Sequence, residues 1–341
     1  KHLLEYDDVL NAQRKRIYAE RNRTFEKEDL HSDVIDILRT ELNERIPAAL
    51  KDEGGPWKLL SYLEEVQPSM TYEAEGIRAP SYTIQLMLDE VLERMDGKAD
   101  DANLKMILLE IAEKSLEAET EHLLNAADAL LEKTEETVDQ LQAERLDAID
   151  IFFDGLQDGG DYNGEIPRRP QEMLEELMNL TRTPLRRASD EMRSLRDADG
   201  DVKERIAIQV KRTLNHTAIS RTVSVLERRL EDSLEIKTAE LVDLDWPEAA
   251  ARIMSALESR LNNRASALLS AQGQVVQALD AALNRSARNS LEENRLIDLL
   301  LNMSVGERMA IDSRTHQRVM RRVMLFNFIY LAARLLQDRP T

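Results

Sequence analysis

Apolar residues along this chain recur mostly at intervals of three and four, the spacing of a helix that buries one stripe. At the start, Leu3, Tyr6, Leu10 and Ile17 follow that rhythm, with Leu4 and Val9 flanking and Gln13 as the one polar step. The pattern predicts a helix over 1–23. A second helix is expected over 32–46 with Ile35, Leu38 and Leu42 on one side, broken by Pro47 and Gly54-Gly55-Pro56. Trp57, Leu59, Leu60, Leu63 and Val66 make a short amphipathic helix before Pro68. "MTYEAEGIRAP" at 70–80 reads as irregular, and Ile84, Met87, Leu88, Val91, Leu92 and Met95 then mark a clean helix with Gly97 as its stop.

From Asp101 to Phe153 there is neither glycine nor proline, so one very long helix, or two nearly end to end, is expected there. Residues 154–170, "DGLQDGGDYNGEIPRRP", end it, and a chain reversal at this point makes a helical hairpin with an exposed tip. Beyond it, 202–242 read as helix, although "RIAIQV" alternates like a strand; no second strand candidate lies near to pair with it. Asp245-Trp246-Pro247-Glu248 is a helix start with Asp245 as N-cap and Pro247 in the first turn. Helices are expected to about Leu269, from 274 to 301, and over Val305 to Gln337. The fold class is all-α, with long helices, a small lobe, a hairpin and a further bundle. The divisions fall at 1–46, 47–98, 99–170 and 171–341.

Composition supports helix: charged residues make up 33% and aromatics only 4% of 341 residues. No cysteine occurs, which excludes disulfides and thiolate metal sites and suits a cytosolic compartment. The longest apolar run, Met324 to Leu336, is interrupted by Asn327 and Arg334 and falls short of the ~20 residues a membrane span needs, so a soluble chain is expected. Charge is uneven. Residues 1–164 hold 18 Lys+Arg against 39 Asp+Glu, whereas 165–341 hold 28 against 26. The acidic front repels phosphate backbones, so no nucleic-acid partner is expected there. The basic pairs Arg168-Arg169, Arg186-Arg187 and Arg321-Arg322 read as solvated helix faces.

Chemistry-bearing patterns are missing from the sequence. There is no phosphate-binding G-x-x-x-x-G-K-[ST], no G-x-G-x-x-G and no H-E-x-x-H. His2, His31, His122, His216 and His316 are scattered, and His122 reads as an ordinary surface or core histidine. Acidic pairs such as Asp7-Asp8 and Glu135-Glu136 are what an acidic helical chain throws up by chance. The expectation is a chain that is not itself an enzyme and holds no metal or cofactor.

The opening stretch carries a sharper signal. "LLEYDDVLNAQRKRIYAERN" resembles the start of the helical scaffold of SecA, the ATP-driven motor of bacterial protein export. Leu3, Leu4, Tyr6, Asp7, Asp8, Val9, Asn11, Gln13, Arg14, Ile17, Tyr18 and Arg21 fit the family pattern L-L-x-Y-D-D-V-x-N-x-Q-R-x-x-I-Y-x-x-R. Residues 45–63 resemble the entry to the family's helical wing, and Val138–Asp150 its hairpin segment L-D-x-L-W-x-E-H-L-x-A-M-D. Gln142 there stands for the Trp and Arg145 for the His. Nothing beyond about 170 finds a counterpart, and the family's basic, aromatic tip is replaced by "QDGGDYNGE".

The resemblance implies a C-terminal scaffold and wing that couples an ATP- and Mg-dependent motor to a client polypeptide. Leu3, Tyr6, Leu10, Ile17 and Tyr18 would supply apolar docking to the motor, with Asp7, Asp8, Asn11, Gln13 and Arg14 as polar register. Asp154, Gln157, Tyr162 and Asn163 would form the tip that meets the client. The implied partners are the motor domains of the same parent chain, a SecY-type channel, unfolded preprotein and an anionic membrane surface. The implied location is cytoplasmic, peripheral at the inner face of the plasma membrane. The sequence begins inside a helical pattern without Met or a capping residue, as a piece of a longer chain would. The alternative is a non-enzymatic helical interaction scaffold with coiled-coil-like contacts, told apart by whether the reading frame continues upstream into a phosphate-loop motor.

Overall fold

The computed structural model describes residues 11–19, 21–22, 30–50, 54–72, 77–95, 100–158, 169–185, 200–285, 293–311, 314 and 316–338. Among them are eleven helices, a helical stretch at 11–19 and two separate two-stranded hairpins, so the fold is predominantly α. The chain divides into two compact units, residues 1–93 with 328–341 and residues 94–327.

The first unit holds α1 (His31–Leu50), α2 (Gly55–Val66), the strands β1 (Met70–Tyr72) and β2 (Ile77–Ala79), and most of α3 (Tyr82–Met95). Helix α1 runs through Pro47, where the sequence predicts a break. The stretch read as irregular forms an antiparallel hairpin with Met70 opposite Ala79 and Tyr72 opposite Ile77. Ser81 is fully buried and starts α3: its backbone N–H donates to Ser69 Oγ at 2.9 Å, and its own Oγ accepts from the Ile84 N–H. The C-terminal helix α11 (Ile329–Asp338) belongs to this unit and packs on α2, with the Tyr330 ring stacked on Trp57 at a centroid distance of 6.5 Å.

The second unit is organised on α4 (Asp101–Asp158), 58 residues without interruption and about 87 Å long at the usual rise per residue. Successive parts of it are covered by different partners: α5 (Pro170–Thr181), α6 (Gly200–Leu230), α8 (Trp246–Leu269) and α9 (Gln274–Arg285). Near its start, Lys105 pairs with Asp280 of α9 at 2.5 Å, and Asp101 accepts from Arg295 of α10 (Glu293–Met303) at 2.9 Å.

In its middle, Ala127, Leu131 and Val138 meet Ile219, Val223, Leu226 and Leu230 of α6 and Trp246, Ala249, Ile253, Leu257 and Leu261 of α8. A short helix, α7 (Thr238–Leu241), joins this core through Leu241. Toward its end, Ile149, Phe152 and Phe153 pack with Met173, Leu174 and Leu177 of α5 and with Val202, Ile206 and Val210 of α6. The spacing of threes and fours in each set lets one face per helix enter a core. It also settles "RIAIQV": Ile206 and Val210, four apart, are buried while Ile208 is 58% exposed, a helical period.

Helix α8 begins as its sequence predicts, with the Asp245 carboxylate accepting from the Glu248 N–H at 2.9 Å and Pro247 in the first turn. The expected helix over 274–301 is two helices, α9 and α10. The expected helix over Val305–Gln337 begins instead as two strands, β3 (Val305–Ile311) and β4 (Arg318–Met324), antiparallel with Met309 opposite Met320. Gln274 explains part of this. Its side-chain amide donates to the Glu307 carbonyl and accepts from the Glu307 N–H, each at 3.1 Å, mimicking a neighbouring strand. Only a glycine at 306 leaves room, since a Cβ there would overlap the Gln274 amide and the Leu325 side chain.

Leu257→Ala, at the centre of the α4–α6–α8 core, is expected to cost about 2–5 kcal/mol, whereas Ile151→Ala, at a site 73% exposed on α4, should stay within about 0.5 kcal/mol. Urea unfolding followed by circular dichroism measures both.

Candidate interaction surfaces

Of the residues expected to dock on a motor, Leu3, Tyr6, Asp7, Asp8 and Leu10 lie outside the described residues. Asn11, Gln13, Arg14, Ile17 and Tyr18 all lie on the helical stretch 11–19 and are exposed, Ile17 by 67%. Arg21 places its guanidinium carbon 5.9 Å from the centre of the Tyr18 ring. Helix α1 continues this character: Val34, Ile37, Leu38 and Leu42 are each more than half exposed. Their spacing puts Val34, Leu38 and Leu42 on one face. A helix stabilised in its own unit would bury such a stripe, so these positions form an apolar surface open to solvent within the chain.

At the far end of α4, α5 returns antiparallel, as the predicted hairpin requires. Of the expected tip residues, Asp154 is exposed on α4, Gln157 lies in the last turns of the same helix, and Tyr162 and Asn163 lie outside the described residues. Beside Asp154, Lys203 of α6 bonds Asp150 at 2.8 Å, and that bond, with the negative charges of Asp150 and Asp154, raises the lysine pKa.

Two residues that sequence reading marked only as departures from a family pattern have structural work here. Gln142 donates to Asn215 Oδ1 of α6 at 2.7 Å. Arg145 is 6% exposed and donates to the Leu180 carbonyl at 3.1 Å, on the last turn of α5. Such a donor satisfies a carbonyl that helix ends leave without an intrahelical partner.

A largely buried acid lies where the unit's last residues meet α4 and α8. Glu119 is paired with Arg264 of α8 at 3.5 Å and accepts from the Asn327 backbone N–H. Arg264 also donates to the Leu325 carbonyl at 2.6 Å. Burial pushes the Glu119 carboxyl above its ordinary range, outweighing the arginine that pulls it down. His122, one turn on, is held below its ordinary pKa by burial and then by the Arg229 charge. An open cleft of about 590 Å³ between α4 and α8 is lined by Met106, Leu109, Glu113 and Leu269 among others. Among the described residues no group of three His, Asp or Glu side chains could hold a metal ion, and no helix is long and apolar enough to cross a membrane.

Within its own unit α4 is a long spine, and the helices of residues 11–50 carry exposed apolar side chains. Comparison with known proteins finds similarity over the front of the chain. Residues 1–151 match the family described as "SecA Wing and Scaffold domain". Several protein translocase subunits SecA are similar over parts of the chain. That of Finegoldia magna is 32% identical over 98 residues, 28% of this chain and 11% of the relative. That of Clostridium novyi is 33% identical over 119 residues, 33% of this chain and 12% of the relative. For Gloeobacter violaceus the figures are 28% over 147 residues, 42% and 15%. The chain thus spans less than a fifth of the length of these relatives. No solved structure matches it.

Glu119 makes a signed prediction. Its folded carboxyl binds a proton more readily than the same group unfolded, so between the ordinary glutamate pKa and the raised folded value stability falls as pH rises. Glu119→Gln should flatten that part of the stability–pH curve, read from urea midpoints. At the hairpin, Arg145→Ala is expected to cost about 1–3 kcal/mol and to speed amide exchange in α5, by leaving the Leu180 carbonyl without its donor.

Proposed function

We propose that this chain is the scaffold and wing portion of a SecA-type protein translocase, in which the opening helix docks on nucleotide-binding motor domains of the same parent protein. The observation that carries the reading is the exposure of Ile17, Tyr18, Val34, Leu38 and Leu42 on helices inside the region that matches the family. An apolar face of that kind gains about 25 cal/mol for each Å² it buries on a partner. The parent would supply ATP and Mg²⁺ chemistry. This chain would supply a lever, because an unbroken hydrogen-bonded helix passes a displacement along its axis without bending at a joint.

The α4–α5 hairpin would meet unfolded preprotein at the mouth of a SecY-type channel, with the whole protein peripheral at the inner face of the plasma membrane. Asp154, Gln157, Tyr162 and Asn163 would form the contact, as an acidic and amide-rich tip in place of a basic one. A client held there would be gripped through hydrogen bonds and the Tyr162 ring rather than through arginine.

The chain has no native cysteine, so a single thiol can be placed at the hairpin. Ile17→Asp with Tyr18→Asp should weaken binding to a separately made SecA motor fragment at least about tenfold, since two apolar side chains together outweigh 1.4 kcal/mol. Unchanged affinity by calorimetry would contradict the docking role. A thiol in place of Tyr162 in the full-length protein should cross-link to a stalled client. Cross-linking from thiols elsewhere but never from this one would remove the tip from the mechanism.

A further inference from the structure

The β3–β4 hairpin is built inside out. In the antiparallel register, Val305 faces Met324, Glu307 faces Arg322, Met309 faces Met320 and Ile311 faces Arg318, and directly paired residues share one side of a ribbon. On this side Met309 is 59% exposed, Ile311 68%, Met320 56% and Met324 61%. The opposite side carries Gly306, Ala310, Val319 and Val323, all half-buried, and Arg308, which bonds the Glu231 carbonyl and lies 3.9 Å from its carboxylate. The small residues face the body of the unit and the long apolar ones face away from it. An ordinary solvated ribbon has the reverse arrangement.

Charge narrows what could cover that face. Within Val305–Met324 the sequence places five arginines, Arg308, Arg314, Arg318, Arg321 and Arg322, against Glu307 and Asp312, in a chain whose net charge is −19. Arg318 and Arg322 lie on the apolar side, Arg322 across from Glu307, and Arg314 and His316 are exposed at the turn end. The basic pair Arg321-Arg322, expected on a helix, is thereby split between two faces of a strand. The segment has no Phe, Tyr or Trp on which a base could stack. Four apolar side chains also offer less than the ~800 Å² per partner of a stable protein interface. Flexible methionines and an isoleucine beside arginines suit a surface that is soft, apolar just below and studded with phosphates.

We propose that the β3–β4 hairpin is a shallow membrane-binding element, laying Met309, Ile311, Met320 and Met324 on an anionic phospholipid surface while Arg314, Arg318 and Arg322 meet lipid phosphates. It gives one element the membrane contact that the functional reading assigns to the protein as a whole, and it rests on the hairpin's own geometry. The rest of the chain, being acidic, is repelled by such a surface, so the contact orients the molecule with this edge down.

The test is sedimentation of the whole chain with phosphatidylcholine vesicles, with and without phosphatidylglycerol. Binding should require phosphatidylglycerol and weaken with salt. Arg318→Gln with Arg322→Gln should reduce it about thirtyfold. Met309→Ser with Met320→Ser should reduce it too, and neither pair should lower the melting temperature, because these side chains are exposed. An environment-sensitive dye on a thiol at 320 should shift to the blue on vesicles, and one at 151 should not. Binding by the parent chain that both variant pairs retain would overturn the hairpin assignment and leave the peripheral reading standing; no binding by the parent chain overturns both. Tighter binding to RNA or polyglutamate than to the vesicles, or a dimer abolished by the methionine changes, would give the face to another occupant.

Discussion

An isolated helix of 58 residues with a mixed, acidic surface gains little from its own hydrogen bonds in water and depends on tertiary burial. The spine of this molecule meets that constraint by changing partners along its length. Ion pairs to α9 and α10 tie down its first turns, α6 and α8 cover its middle, and α5 with the start of α6 covers its end. Four helices of the second unit, α5, α6, α8 and α9, pack against it. A break anywhere in α4 would separate cores that otherwise share a single rod.

That constraint also gives the rear of the chain a purpose. The family match ends at residue 151, yet the residues that bury the matched helix between Ala127 and Phe153 come largely from 173–261. The two departures at Gln142 and Arg145 point the same way, one bonded to Asn215 and the other to Leu180. Substitutions in the matched segment are thus joined to helices outside it. The helices beyond residue 151 act as cladding on α4, and Ile17, Val34, Leu38 and Leu42 of the opening helices are exposed.

Much of this was legible in the sequence because helices announce themselves by period. The lack of glycine and proline from 101 to 153 foretold the spine, Asp245 and Pro247 foretold the start of α8, and the glycines after 154 foretold the hairpin. The strands were hidden for a physical reason. In β3–β4 the large apolar residues point outward and the small ones inward, so no buried alternating stripe exists to read, and a glutamine amide from another helix completes the edge. Pro47 misled because a proline can sit in a helix so exposed that its lost hydrogen bond is made up by water. The placement of α11 against α2 depends on Trp57 and Tyr330, more than 270 residues apart, a pairing no local pattern encodes. The docking and tip residues came from a family pattern, and only their exposure, where described, can be read from the fold.

Amide hydrogen exchange on this chain, alone and with a SecA motor fragment, tests the central claim most directly. Alone, the middle of α4 from Ala127 to Val138 should exchange slowly, under cover of α6 and α8, while residues 11–22 exchange fast. Adding the motor fragment should slow residues 11–22 and leave the middle of α4 unchanged. Protection of 11–22 already present in the isolated chain, or none gained with the motor, would contradict the account of an exposed docking helix in a chain whose spine is self-supporting.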